Sequence, residues 1–318
     1  MLRDMNITTW HVSPTLHWME EFAAWLHDHE RAPLTIEAYL QDLRHFSNFF
    51  MRVNGQGFTP DQLNATDVKT YFKSQDDDHS VKPASRNRRL FSLRVMVAWA
   101  VEAGLLEYDP TVSVKRQVVE LTPRDRTVEE MERLALVVLN GAHIRCAGEL
   151  HAWLSLRDRI LWAIFTDTGL RIHEVAELKV SDIDFEERRI NVHGKGNKKA
   201  PINVPARLLE MIASFLGPKT DRAEAHVITD WNGSPITSGQ IRVRIKMIGE
   251  AAGIRDLKPH DLRHTYAYLL LKTLIQQGLS VPAALDALRK QMRHADQKTT
   301  MQYFAARDSQ VRAALEAM

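Results

Sequence analysis

The sequence predicts a mainly α-helical protein with one small antiparallel β-sheet, arranged as an N-terminal helical bundle followed by a larger α+β domain. Three observations lead to this fold class. The first hundred residues repeat apolar side chains at helical spacing and show no strand pattern. Residues 112–126 are polar, charged and broken by Pro123, which is typical of an interdomain linker. Between residues 178 and 204 the apolar period changes to strict alternation.

Four helices account for the bundle. The first covers Leu16–Asp28, where apolar residues recur three or four positions apart. The second and third helices are predicted to begin at Thr35 and Thr66, because threonine favours the N-cap position. A long fourth helix is predicted to open at Ser85 and to end at Gly104, since glycine commonly terminates helices.

The second half of the chain combines helices with a small sheet. Thr127 and Glu130 have the spacing of a capping box, which predicts the start of a new helical region. Three strands are predicted at Leu178–Phe185, Arg189–His193 and Ala200–Val204, and the last two form a hairpin. Helical patterns return after the hairpin and continue to the C-terminus.

These elements divide the chain into four parts. We expect an N-terminal extension, a helical domain, a linker and an α+β domain, at residues 1–14, 15–111, 112–126 and 127–318. No internal repeat or low-complexity tract interrupts this order.

Composition excludes several classes of protein. Hydrophobic residues make up 44% and charged residues 26% of 318 positions, the profile of a soluble globular protein. No stretch reaches the roughly 18 apolar residues of a membrane helix, and the N-terminus lacks a signal-peptide pattern. The single cysteine, Cys146, rules out an internal disulfide framework. We therefore expect a cytoplasmic protein without a membrane partner.

Basic residues are concentrated in two places although the net charge is only +2. The first basic run follows the acidic triplet 76–78 and comprises Lys82, Arg86, Arg88, Arg89 and Arg94. The second basic cluster comprises Arg242, Arg244 and Lys246. Such segregation is expected where a protein meets phosphate groups, although a solvated helix face gives the same pattern.

Six residues of the second domain are candidates for chemistry: Arg171, Lys195, His260, Arg263, His294 and Tyr303. Each alone has an ordinary explanation. An arginine can pair with a glutamate on its own helix, a lysine in a glycine-flanked turn is usually solvated, and a tyrosine in an amphipathic helix is usually structural. Together the six residues indicate a function, because each suits one step of the same reaction.

That reaction is attack on a phosphodiester, which places additional negative charge on the non-bridging oxygens. Two arginines and a histidine can hold that charge with directed donors. A lysine on a hairpin can protonate the departing 5′ oxygen, and a tyrosine can be the nucleophile. The phosphotyrosine ester keeps the bond energy, so rejoining needs neither ATP nor metal. The sequence shows no carboxylate cluster for metal ions and no nucleotide-binding glycine loop, so no cofactor is expected.

The order of these residues resembles the tyrosine recombinase (phage integrase) family over nearly the whole chain. Four motifs carry the resemblance: Thr168–Glu174, Gly194–Lys198, His260–Thr265, and the spacing from His294 to Tyr303. The resemblance implies that the two arginines and two histidines hold the scissile phosphate. It further implies that Lys195 is the general acid and Tyr303 the nucleophile, while Glu174 orients Arg171.

The resemblance also implies a function and partners. The protein would be a site-specific recombinase that forms a 3′-phosphotyrosine intermediate during integration, excision or resolution of DNA. The helical domain would bind core DNA, and both basic sets would face the duplex. The apolar C-terminal stripe of Val311, Leu315 and Met318 would dock into a neighbouring protomer. Four protomers would then form a head-to-tail ring on two DNA sites.

This chain departs from the family pattern in three places. Arg293 stands where the family often has the glycine of Leu-Gly-His. The segment 274–290 is longer than usual, and 140–155 resembles an insertion. Two alternatives remain: a type IB topoisomerase with the same chemistry, and a DNA-binding regulator with an inactive site. Competent residues at all six positions argue against the second.

Overall fold

The computed structural model describes residues 14–119, 125–193, 199–217 and 223–293. The chain separates into two compact units, residues 1–120 and 121–318. The described residues are mostly helical and contain one three-stranded antiparallel sheet, in the second unit. The predicted fold class is therefore confirmed.

The described part of the first unit is built from helices α1 to α4 and a short 3-10 turn at Pro60–Gln62. The helices cover Pro14–Asp28, Pro33–Asn54, Ala65–Asp77 and Pro83–Glu102.

Proline and asparagine, rather than threonine and serine, set the starts of these helices. Helices α2 and α4 begin at Pro33 and Pro83, two residues before the predicted positions. Proline suits a first helical position because its φ is already helical and its missing N–H has no partner there. Asn64 caps α3 by accepting hydrogen bonds from the backbone N–H groups of Thr66 and Asp67 at 2.9 and 3.0 Å.

Aromatic side chains form the core of the first unit. Phe46, Phe58, Tyr71 and Phe72 are almost fully buried. The rings of Phe46 and Tyr71 meet edge to face at 4.9 Å, and those of Phe46 and Phe58 at 5.0 Å. Such edge-to-face pairs add stabilisation beyond the buried area alone. The unit is therefore a closed helical bundle with its own core.

The second unit contains helices α5 to α11 and the sheet. The helices cover Val128–Asn140, Gly148–Thr168, Ile172–Glu177, Ala206–Leu216, Ser238–Ala251, Pro259–Gln276 and Val281–Met292. The capping box predicted at Thr127 and Glu130 is present at the start of α5. The segments 140–155 and 274–290 thus contain the first turns of α6 and most of α11.

The sheet has the order β1–β2–β3, with strands Ile183–Asp184, Arg189–His193 and Lys199–Asn203. The predicted first strand, Leu178–Phe185, is wrong over most of its length. A 3-10 turn occupies residues 180–182, and the backbone N–H of Val180 donates to the carbonyl of Ala225. The backbone groups that would extend β1 are therefore bonded to the segment before α9.

A single apolar core joins α5 to α10 and the sheet in this unit, and α6 packs against α10. Ile160, Ile164 and Phe165 of α6 and Leu262 of α10 are fully buried in it. This packing places Gly169, at the C-terminal end of α6, beside the first turns of α10. Among the described helices, none is long and apolar enough to cross a membrane.

Candidate active site

Arg171 lies at the start of α7, where Glu174 binds both its backbone and its side chain. The backbone N–H of Arg171 donates to Oε2 of Glu174 at 2.6 Å, and its Nη1 donates to Oε1 at 3.1 Å. The carboxylate is buried, with 5% of the side chain exposed, whereas 36% of the Arg171 side chain is exposed. Glu174 therefore fixes one edge of the guanidinium and leaves part of it open to solvent.

Arg263, on α10, is buried and holds two segments together. Its Nη1 donates to the carbonyl of Gly169, and its Nη2 donates to the carbonyl of Met292 at 2.7 Å. Burial and the charge of Arg171 lower the pKa of Arg263 to about 9, while Glu174 opposes the shift. Arg263 is charged at neutral pH and ties the end of α6 to the end of α11.

A third arginine joins this cluster. Nη2 of Arg293, directly after α11, lies 2.7 Å from Oε2 of Glu174. Burial would raise the pKa of Glu174, but the Arg171 backbone N–H and the guanidinium groups of Arg293 and Arg171 outweigh burial and lower it. We name Arg171, Arg263, Arg293 and Glu174 the arginine cluster. Three guanidinium groups around one ionised carboxylate leave an excess of positive charge, which suits an anion.

His260 occupies the first turn of α10, one helical turn before Arg263. Residues three apart on a helix lie on neighbouring turns, and here His260 is exposed while Arg263 is 2% exposed. The rings of His260 and His264 meet edge to face with centroids 4.2 Å apart. The structure thus brings His260 to the surface beside the buried arginine.

Gly169 is the tightest backbone position of the site. Its φ of +62° is in the left-handed region that favours glycine. A Cβ at this position would lie 2.4 Å from Cδ1 of Tyr266 and 3.1 Å from Sδ of Met292. Nε2 of Gln291 in turn donates to the Tyr266 hydroxyl at 3.2 Å. The absence of a side chain at Gly169 lets α6, α10 and α11 meet beneath the arginine cluster.

Lys195, His294 and Tyr303 lie outside the described residues, as do Val311, Leu315 and Met318. The strands on either side of Lys195 are described: His193 of β2 pairs with Lys199 of β3 in antiparallel register. The roles of these residues stay predictions.

Two arginines of the first basic run form hydrogen bonds to backbone carbonyls within the first unit. Arg86 is buried, with Nε 2.5 Å from Oδ1 of Asp76 and Nη1 2.9 Å from the carbonyl of Lys115. Its guanidinium also lies over the Phe72 ring. Nη2 of Arg94 donates to the carbonyl of Val114 at 2.9 Å. Asp76, from the acidic triplet before the run, supplies the partner of Arg86, and the DNA contact predicted for Arg86 stays a prediction.

The remaining members of the first basic run are more accessible. Lys82 is exposed, and Arg88 keeps 48% of its side chain exposed while it pairs with buried Asp42 at 2.8 Å. Arg89 is half-buried and donates to Oε1 of Gln75 at 2.8 Å. These three residues stay candidates for contact with phosphate, and the DNA contact of Arg94 also stays a prediction.

The second basic cluster also contains one arginine that pairs within the fold and two exposed residues. Arg244 pairs with Asp158, which is fully buried and also holds Arg157 and His143 at 2.7 and 2.9 Å. Arg244 therefore has an ion-pair partner within the fold, and its DNA contact stays a prediction. Arg242 and Lys246 are exposed on the same helix, α9.

Residues 14–119, 125–193, 199–217 and 223–293 contain no group of three or more His, Cys, Asp and Glu that could hold a metal ion.

Comparison with known families gives two matches. Residues 143–310, more than half of the chain, match the family described as "Phage integrase family". Residues 19–104 match "Phage integrase, N-terminal SAM-like domain". The resemblance seen in the sequence motifs is thereby confirmed.

Curated relatives carry a consistent name. The chain is 26% identical over 294 residues to tyrosine recombinase XerC of Lactobacillus delbrueckii subsp. bulgaricus, covering 89% of this chain and 92% of the relative. It is 28% identical over 262 residues to tyrosine recombinase XerC of Listeria welshimeri, covering 79% of this chain and 83% of the relative.

Solved structures share the fold. A lambda integrase (residues 75–356) dimer bound to a COC′ core site superposes with a TM-score of 0.67 at 16% identity, covering 92% of this chain and 95% of that chain. The XerH site-specific recombinase bound to its difH substrate superposes with a TM-score of 0.65 at 18% identity, covering 91% of each chain.

Replacement of Gly169 by alanine tests the packing beneath the site. We expect Gly169→Ala to lower the free energy of unfolding by more than about 2 kcal/mol, because left-handed strain and overpacking against Tyr266 add together. Urea unfolding of the purified protein measures the effect.

Gly278→Ala is the matched control, since Gly278 has a φ of +93° and a Cβ at this position would meet nothing within 4 Å. We expect Gly278→Ala to lower the free energy of unfolding by less than Gly169→Ala does. Equal losses for both variants would contradict the close packing at Gly169.

Proposed function

The chain belongs to the phage integrase family, and on that premise we propose that it cleaves and rejoins DNA at a specific site through a 3′-phosphotyrosine intermediate. It is an enzyme of the tyrosine recombinase type. The observation that carries the proposed mechanism is the arginine cluster. Its excess positive charge, part of which is open to solvent at Arg171, suits a phosphodiester.

In this proposal the phosphate occupies the open side of Arg171. The guanidinium can donate to two phosphate oxygens in a plane, because Glu174 holds the opposite edge. His260, exposed on the first turn of α10, donates to the same phosphate, and His294 completes the set. Arg263 adds positive charge from within the fold and fixes the turns around Gly169 and Met292.

The proposed chemistry then runs in two balanced steps. The phenol of Tyr303 gives its proton to solvent as its oxygen attacks phosphorus, the bond from phosphorus to the 5′ oxygen breaks, and Lys195 gives a proton to that oxygen. A 5′ hydroxyl, from the same or another strand, later attacks the phosphotyrosine and returns its proton to Lys195, while Tyr303 leaves and regains a proton from solvent. The number of phosphodiester bonds is unchanged overall, so no external energy source is needed.

We further propose that residues 15–111 bind the DNA core site and that residues 127–318 carry out the chemistry, with 112–126 as the linker. The match of residues 19–104 to the N-terminal SAM-like domain of integrases supports this division. Lys82, Arg88 and Arg89 in the first unit and Arg242 and Lys246 in the second are the proposed phosphate contacts.

The proposed assembly is supported by a separate observation. A lambda integrase tetramer bound to a Holliday junction superposes on this chain with a TM-score of 0.64 at 16% identity. We propose a head-to-tail tetramer on two DNA sites for this chain, formed by docking of the apolar C-terminal stripe. The DNA would be the cytoplasmic DNA of a bacterium, and the reaction integration, excision or resolution.

Covalent trapping tests the proposed function. A duplex made from the sequence that the protein protects against nuclease is nicked a few nucleotides 3′ of the scissile phosphate. After cleavage the short fragment that bears the new 5′ hydroxyl dissociates, so the strand cannot be rejoined. Wild type should accumulate a protein–DNA adduct visible on a denaturing gel, and Tyr303→Phe should give none, because phenylalanine lacks the attacking oxygen.

An adduct that persists in Tyr303→Phe would refute the assignment of the nucleophile. Wild type that binds this duplex without any adduct would favour an inactive regulator. Relaxation of supercoiled plasmid lacking the protected sequence would favour a type IB topoisomerase.

Salt dependence of binding tests the proposed phosphate contacts. We expect Lys82→Ala to weaken DNA binding and to reduce the slope of log K against log salt by about 1, because one fewer counterion is displaced. Lys69→Ala, which removes an exposed lysine of α3 outside both basic sets, is the control. An unchanged slope for Lys82→Ala, or an equal change for both variants, would contradict the contact.

A further inference from the structure

Arg293 adopts a backbone conformation that does not suit arginine. It follows the last residue of α11 with φ 51° and ψ 45°, the left-handed conformation in which only glycine avoids a steric cost. The family often has glycine here. Arginine has therefore been placed at a position where its backbone is disfavoured, and a compensating side-chain interaction is expected.

The side chain supplies that interaction. Only 10% of the Arg293 side chain is exposed, and its Nη2 lies 2.7 Å from Oε2 of Glu174, whose side chain is 5% exposed. Charge-assisted hydrogen bonds between largely buried partners are stronger than exposed ion pairs. The contact is thus unlike a surface ion pair such as that between Arg289 and Asp286, whose side chains are 48% and 45% exposed.

The carboxylate that Arg293 binds is the one that orients Arg171. Oε2 of Glu174 accepts from the Arg171 backbone and from Arg293, while Oε1 accepts from Nη1 of Arg171. With Oε2 held by Arg293, the carboxylate cannot rotate away from Arg171. Arg293 therefore fixes the direction in which the open edge of Arg171 points.

Two residues at the end of α11 are linked to the motif arginines, Met292 directly to Arg263 and Arg293 to Arg171 through Glu174. The carbonyl of Met292 accepts from Arg263, and the side chain of Arg293 binds the carboxylate partner of Arg171. The backbone and the side chain of this turn are thus anchored separately, directly before residue 294 in the chain.

We propose that Arg293 is a positioning residue for recombination, one that fixes Glu174 and through it Arg171, in place of the glycine of related enzymes. Arg293 does not touch the phosphate in this proposal. The inference rests on the proposed function and extends it, since it assigns the orientation of Arg171 to a residue outside the shared motifs.

The experiment compares Arg293→Gly, Arg293→Asn and Arg293→Lys with wild type on the nicked duplex. Glycine and asparagine both accept the left-handed backbone, so either variant reports the loss of the side chain. The adduct is followed in a single turnover at saturating protein, and DNA affinity and Tm are measured separately. Arg289→Ala is the matched control, because it removes an arginine–carboxylate pair from the same helix.

We expect the rate of adduct formation to fall ~10- to 100-fold in Arg293→Gly and Arg293→Asn, because a small misorientation of Arg171 slows the chemical step. DNA affinity should change less than about threefold, since phosphate contacts elsewhere dominate binding. Arg293→Lys should recover part of the rate, because its ammonium can still bind one oxygen of Glu174. Arg289→Ala should react at the wild-type rate.

The inference would be overturned if Arg293→Gly and Arg293→Asn formed the adduct at the wild-type rate. It would also be overturned if the loss of rate across all four variants simply followed the loss of Tm, since that would indicate a structural role only. These results are distinguishable from failure of the proposed function, in which wild type itself forms no Tyr303-dependent adduct.

Discussion

The carboxylate of Glu174 accepts hydrogen bonds from Arg171, at the start of α7, and from Arg293, at the end of α11. Burying this carboxylate would be unfavourable without partners, because an ionised group loses its hydration. With two guanidinium groups bound, it stays ionised and joins two distant parts of the chain. Arg263 adds a third guanidinium and a second connection between the same regions. The local excess of positive charge follows directly from this arrangement.

The site is constructed from the ends of helices rather than from their middles. The C-terminal ends of α6 and α11 meet the N-terminal turns of α7 and α10, and the carbonyls left unpaired at the two C-terminal ends accept from Arg263. Gly169 allows this meeting because a side chain there would collide with Tyr266. Packing of α6 on α10 in the apolar core therefore determines where the phosphate-binding side chains can lie.

Much of this organisation is predictable from the sequence. The fold class and the Thr127 capping box follow from apolar period and capping pattern, and the family follows from motif order. Local pattern could not show that Arg86 and Arg244 form ion pairs within the fold, because their partners, Asp76 and Asp158, become neighbours only on folding. The predicted first strand is too long for the same reason, since the backbone N–H of Val180 donates to the carbonyl of Ala225, which is distant in sequence. In the sequence, Arg293 is visible only as a departure from the family glycine, and its contact with Glu174 requires the tertiary structure.

In the proposed mechanism, Arg171, held by Glu174, neutralises charge on the scissile phosphate. The most direct measurement compares the rate of adduct formation for wild type and Arg171→Ala on two nicked duplexes, one natural and one with a methylphosphonate at the scissile position. The methylphosphonate lacks the negative charge that Arg171 is proposed to hold. We expect Arg171→Ala to slow adduct formation strongly on the natural duplex and much less on the methylphosphonate duplex. Defects of equal size on the two duplexes would contradict this mechanism.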